Sequence, residues 1–158
     1  MIRKITDRIV YGKDVDWAMN IEKFDWIPGV GLYGIFNAYR ATGEEKYLEF
    51  LNEWANRHLQ EAYTKKTINS TAPLLTIVEL YDETNKEEYL KVCTDIANWI
   101  INEAPLTCEG GLEHTVTEVG DGFSQQIWAD TLFMVCLFLV KLGKISKQQK
   151  YINFDYFY

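Results

Sequence analysis

Tyr39-x-x-Thr42-Gly43-x-x-x-Tyr47-Leu48 returns as Tyr81-x-x-Thr84-Asn85-x-x-x-Tyr89-Leu90, 42 residues further on. A repeat of that period is the mark of a helical-hairpin array, in which each unit buries its apolar face against its neighbours. Gly43 and Asn85 stand where a helix ends in the left-handed conformation that Gly and Asn tolerate. Glu44-Glu45 and Glu87-Glu88 then fall in the first turn of the next helix, where negative charge suits the dipole. Beyond the turn, Tyr47, Leu51, Trp54, Ala55, His58 and Leu59 follow helical spacing, as do Tyr89, Cys93, Ile96, Ala97 and Ile100. A third, weaker copy ends in Ser146-Lys147-x-x-Lys150-Tyr151.

Working outward, each copy is preceded by an apolar segment that follows a proline, Pro28 in one and Pro73 in the other. These leading helices are apolar on most sides, as in Leu74, Leu75, Ile77, Val78 and Leu80, or Leu132, Phe133, Val135, Leu137, Phe138 and Val140. Such a pattern predicts burial on both faces, hence an inner row of helices covered by an outer row. The reading gives helices near 2–10, 30–41, 44–61, 73–84, 86–103, 130–142 and 147–156, and no strand of useful length. Residues 104–126, with Pro105, Gly110, Gly111, Gly120 and Gly122, read as a long loop of the kind that carries function. The fold class is all-α, one domain over residues 1–158.

The composition, 47% hydrophobic and 25% charged, is globular. A net charge of −7 with no basic run argues against nucleic acid and against an anionic membrane surface. Cys93, Cys108 and Cys136 cannot all pair internally, which fits reduced thiols and a cytoplasmic location. The N-terminus lacks the apolar stretch of a secretory signal, and the apolar run Leu132 to Val140 is too short to span a bilayer.

Gly29-Val-Gly31-Leu-Tyr-Gly34 matches G-x-G-x-x-G, but no strand or βαβ unit surrounds it, so it is not a dinucleotide site. Those glycines instead suit close approach of a helix start to a neighbour or ligand. His58 and His114 have no ligand-type residue at i+3 or i+4, so no metal and no cofactor is expected. Asp130 is the one charge between Ile127 and Val140. It reads either as a helix N-cap or as a half-buried acid whose pKa is raised by desolvation. Trp26 and Trp128 each precede an apolar inner helix and read as core or as a stacking wall for a sugar ring. In Ile68-Asn-Ser-Thr-Ala-Pro73, turn chemistry accounts for Ser70 and Thr71 and leaves Asn69 for a ligand. His114, in the Gly-rich loop, reads as solvent-exposed or as part of the site. All of these lie at or before inner-helix N-termini, or in the loop feeding one, which is one mouth of a ring.

Asp25-Trp26-x-Pro28-Gly29-Val30-Gly31-Leu32-Tyr33-Gly34, Asn69-Ser70-Thr71-Ala72-Pro73-Leu74-Leu75, Gly111-Leu112-x-His114-Thr115 and Gln126-Ile127-Trp128-Ala129-Asp130-Thr131-Leu132-Phe133-Met134 together resemble the unsaturated rhamnogalacturonyl/glucuronyl hydrolases, glycoside hydrolase families 105 and 88. The resemblance covers most of residues 17–151. It implies an (α/α)6 barrel, here truncated to about half a toroid of roughly three hairpins, because the family barrel needs about twice this length. It implies a substrate that is an oligosaccharide from a polysaccharide lyase, ending in a 4,5-unsaturated uronic acid, as in pectin degradation. It implies hydration of the C4=C5 bond with Asp130 as proton donor, Trp26, Asn69, His114 and Trp128 binding substrate, and no metal. Where some members carry an acid, this chain has Asn69, which can only hydrogen-bond. A truncated chain also fits a non-catalytic remnant that binds sugar, and an open half-ring favours a homo-oligomer.

Overall fold

The structure, a computed structural model, describes residues 1–12, 20–116 and 123–153. Among the described residues six helices carry the fold: α1 (Ile2–Tyr11), α2 (Trp26–Thr42), α3 (Glu45–Thr64), α4 (Ala72–Thr84), α5 (Glu87–Asn102) and α6 (Leu137–Ser146). A 3-10 turn, Asn69–Thr71, leads into α4, a π-helical turn, Leu132–Cys136, leads into α6, and a 3-10 turn, Gln149–Tyr151, follows it. Among the described residues there is no strand, only an isolated bridge between Leu106 and Leu112. No described helix is long and apolar enough to cross a membrane.

The inner helices α2, α4 and α6 pack side by side, and α1, α3 and α5 cover them from outside. Helix α4 is the centre of this arc. Every residue from Ala72 to Leu80 is buried, as expected for a helix with neighbours on all sides. Each fully buried Leu or Ile there contributes roughly 1.5–3 kcal/mol by leaving water. Gly29 lets α2 approach α4: a Cβ at this position would lie 2.7 Å from Ala72 and Pro73.

The sequence repeat is a repeat of turns and of a hydrogen-bonded stitch. Gly43 (φ 67°), Asn85 (φ 55°) and Lys147 (φ 57°) all adopt the left-handed conformation, closing α2, α4 and α6. The hydroxyl residue just before each left-handed cap repeats too: Thr42, Thr84 and Ser146 each donate to the carbonyl four residues back. The Tyr that follows each turn is buried and reaches the preceding outer helix. Tyr47 donates to Asp7 of α1 at 2.9 Å, Tyr89 to Asn56 of α3 at 2.8 Å, and Tyr151 to Asn98 of α5 at 3.1 Å. A lysine packs over each ring, Lys46, Lys86 and Lys150, with its ammonium 4.6 to 5.0 Å from the centroid. Helix α1 therefore occupies an outer-helix position, since Asp7 plays toward Tyr47 the part that Asn56 plays toward Tyr89.

Three expected boundaries move, each for a local reason. Helix α2 starts at Trp26 rather than near residue 30, because Asp25 accepts the Trp26 N–H at 2.7 Å and Pro28 fits a first turn that needs no N–H from it. The last inner helix runs to Ser146. The helix expected over 147–156 does not begin at 147, because Lys147 is the left-handed cap; only a 3-10 turn follows, and 154–158 lie outside the described residues.

Candidate active site

The inner-helix N-termini meet at one end of the arc. The 3-10 turn Asn69–Thr71 packs against both α2 and the π-helical turn Leu132–Cys136. Ser70 and Thr71 fold this turn as the sequence suggests. Ser70 Oγ donates to Lys65 and Thr67 carbonyls, and Thr71 Oγ1 donates to the Ile68 carbonyl at 2.6 Å. Asn69 is 7% exposed, and its Oδ1 has no hydrogen-bond partner.

The loop after α5 is folded back on itself and brings His114 to this end. Thr107 N–H donates to the Gly111 carbonyl across a turn where Gly110 takes φ 88°, and Glu113 N–H donates to the Pro105 carbonyl. His114 N–H donates to the Gln126 carbonyl at 2.8 Å, tying the two arms of the loop together. Thr115 binds the Asn69 turn, accepting from Ile68 N–H through Oγ1 and from Asn69 N–H through its carbonyl. Gly120 and Gly122 of this loop lie outside the described residues.

His114 is 3% exposed, which overturns its reading as a solvent-exposed loop histidine. Its ring lies flat on Trp128, 4.2 Å away and 7° from parallel, and Phe123 meets it edge-on at 5.4 Å. Nδ1 has no hydrogen-bond partner and lies 3.9 Å from Asp130 Oδ1. Burial pulls the imidazole below its usual pKa, and the Asp130 charge opposes that pull.

Asp130 is 48% exposed at its side chain, more open than the apolar enclosure expected for it. The neighbours meant to enclose it face outward themselves: Trp128 is 39% exposed and Leu132 60% exposed. Phe133 turns away to meet Tyr33. The Asp130 backbone carbonyl accepts the Phe133 and Met134 amides at 3.0 Å, which sets Asp130 at the helix start, while Thr131, the residue before the π-helical turn, makes no side-chain cap bond. Trp26 is 44% exposed, so neither Trp26 nor Trp128 is a core residue. Trp128 is held by its indole N–H donating to Gln126 Oε1 at 3.1 Å.

Three parts of this site were not singled out in the sequence. Thr131 is 2% exposed with an unpartnered Oγ1, and Gln126 and Phe123 fix Trp128 and His114. Their only signal was adjacency to Trp128 and Asp130, because loop residues have no periodicity to betray them. The mouth therefore combines two exposed indoles, a carboxylate, and three buried polar atoms without partners: Asn69 Oδ1, His114 Nδ1 and Thr131 Oγ1. Buried polar atoms cost free energy unless something bonds them, so such a cluster suits water or a hydroxyl-rich ligand.

Comparison with known proteins agrees with this geometry. The family model of Glycosyl Hydrolase Family 88 matches residues 1–156. Unsaturated rhamnogalacturonyl hydrolase YesR of Bacillus subtilis is 32% identical over 155 residues, covering 96% of this chain and 43% of that protein. A possible member of the GH105 family from Salmonella enterica serovar Paratyphi A superposes with a TM-score of 0.83 at 33% identity, over 96% of this chain and 43% of its own. A second possible GH105 member, from Klebsiella pneumoniae, gives 0.82 at 31% identity, over 96% and 42%. The chain thus spans less than half the length of these relatives. Its six-helix arc is a partial toroid of hairpins, and the chain belongs to Glycosyl Hydrolase Family 88.

Proposed function

We propose that this chain acts on oligosaccharides that end in a 4,5-unsaturated uronic acid, the products of polysaccharide lyases, by hydrating the C4=C5 bond. The observation that supports it most is the convergence on Asp130: an open carboxyl flanked by an exposed indole and by buried, unpartnered polar atoms at one mouth. Trp26 and Trp128 offer faces on which a sugar ring stacks. Asn69 hydrogen-bonds a sugar hydroxyl, and His114 supports Trp128 by covering one face of its indole.

In the reaction, the Asp130 acid gives its proton to C4 while water adds to C5. The carboxylate left behind takes the water's proton, so the acid is restored. The product is a hemiketal at C5, which opens and releases the rest of the oligosaccharide. A ring seated on Trp128 would cover the carboxyl and remove water from it, which favours the protonated form the step requires.

The test is loss of the ultraviolet absorbance of the C4=C5 bond on incubation with an unsaturated uronyl disaccharide. Asp130→Asn keeps the size and cannot donate the proton, so it is expected to abolish the loss while the circular dichroism spectrum is unchanged. Full activity in Asp130→Asn would move the acid elsewhere. An unmutated chain that binds the disaccharide without consuming it would instead support a sugar-binding, non-catalytic chain.

A further inference from the structure

His114 is held from several sides. Its backbone is bonded to Gln126, the next residue anchors the Asn69 turn, one face of its ring is covered by Trp128, and Phe123 closes an edge. What this packing leaves is Nδ1, buried, unpartnered and 3.9 Å from Asp130 Oδ1. The neighbouring acid, Glu113, is engaged elsewhere, accepting from Gln125 N–H at 2.8 Å. Among the described residues, Asp130 is the charged group paired with this ring.

We propose that His114 is a positioning residue for Asp130: its Nδ1–H is the hydrogen bond that Oδ1 takes up when the carboxyl turns inward by about 1 Å, which leaves Oδ2 to deliver and recover the proton. The chemistry rests on the hydration reading above; the pairing rests on geometry alone. The ring transfers no proton. It fixes the plane of the carboxyl, as an orienting partner fixes a catalytic group in other acid–base sites. A ring that burial keeps neutral can do this without forming a tight ion pair that would hold Asp130 deprotonated.

The pairing is tested first without any turnover. The chain has two histidines, so His114 is assigned in imidazole nitrogen NMR by the signal lost in His114→Phe. In the unmutated chain the neutral ring is expected as the Nδ1–H tautomer. In Asp130→Asn the His114 titration midpoint is expected to fall, since a nearby anion favours the imidazolium. An Nε2–H tautomer, or a midpoint that Asp130→Asn leaves in place, overturns the inference whether or not the chain is an enzyme.

The second measurement separates positioning from sugar contact. His114→Phe keeps a flat ring on Trp128 and removes the donor. It is expected to bind the unsaturated disaccharide with unchanged affinity and, in an active chain, to lower kcat by about a hundredfold with KM little changed, the cost of a roughly 1 Å misplacement. A weakened affinity in His114→Phe would make His114 a direct sugar ligand and sink the positioning role.

Discussion

Thr131 is the residue on which the site and the fold disagree. Its hydroxyl is buried and bonded to nothing, next to the carboxylate of Asp130. Thr131→Val keeps the shape and deletes the orphan group, so it is expected to raise unfolding free energy by about 1 kcal/mol in urea titration while weakening binding of the disaccharide. A drop in stability would mean that the hydroxyl has a partner in the fold. At this scale the sequence pointed to Asp130, Trp26, Trp128 and Asn69 through their place at helix starts, but not to their surroundings. Whether an indole is core or mouth depends on what the loop after α5 brings over it, and the folding of that loop on Gln126 and Thr115 leaves no pattern in composition or spacing. The burial of His114 was hidden for the same reason.

Helices were more legible, because the left-handed turn residues and the repeated Tyr are local signals and recur. The boundary at Trp26 was not, since the helix was read from near residue 30, beyond Pro28 and Gly29, whereas Asp25 caps it at Trp26. Gly29 now has a reason at this scale. Gly29→Ala would place a Cβ against the α4 backbone at 2.7 Å and is expected to cost about 1–3 kcal/mol, read as a lower urea midpoint. The stitch between outer helices makes a separate forecast. Burial, with help from the Glu88 charge, pushes the Tyr89 phenol up to about 12. The folded chain therefore holds this proton more tightly than the unfolded chain does. Its contribution is complete below pH 10 and is lost as pH rises toward 12. Tyr89→Phe should lower stability at pH 7 by about 1 kcal/mol through the lost bond to Asn56, and should flatten the alkaline decline. An unchanged slope between pH 10 and 12 would assign that decline to other groups.

For the molecule as a whole, the open edges of the arc were expected along the helix from Leu132 to Val140. Much of that helix is covered, since Met134, Val135, Phe138 and Leu139 are buried. Apolar surface stays open at its first residue, Leu132, and also on α1, where Ile2, Ile5 and Tyr11 are each more than half exposed. Sedimentation at micromolar concentration is expected to show a dimer or larger species, and Ile2→Lys with Ile5→Lys to shift it toward monomer. A clean monomer before mutation would end that expectation. The left-handed turns and the mouth lie at opposite ends of the same inner helices. In α2, 17 residues put about 25 Å between them. That distance divides the surface into a handle and a workface. Residues grafted in at Gly43, Asn85 or Lys147, a fused tag or a tether to a solid support would hang from the handle, and the indoles around Asp130 would be left undisturbed.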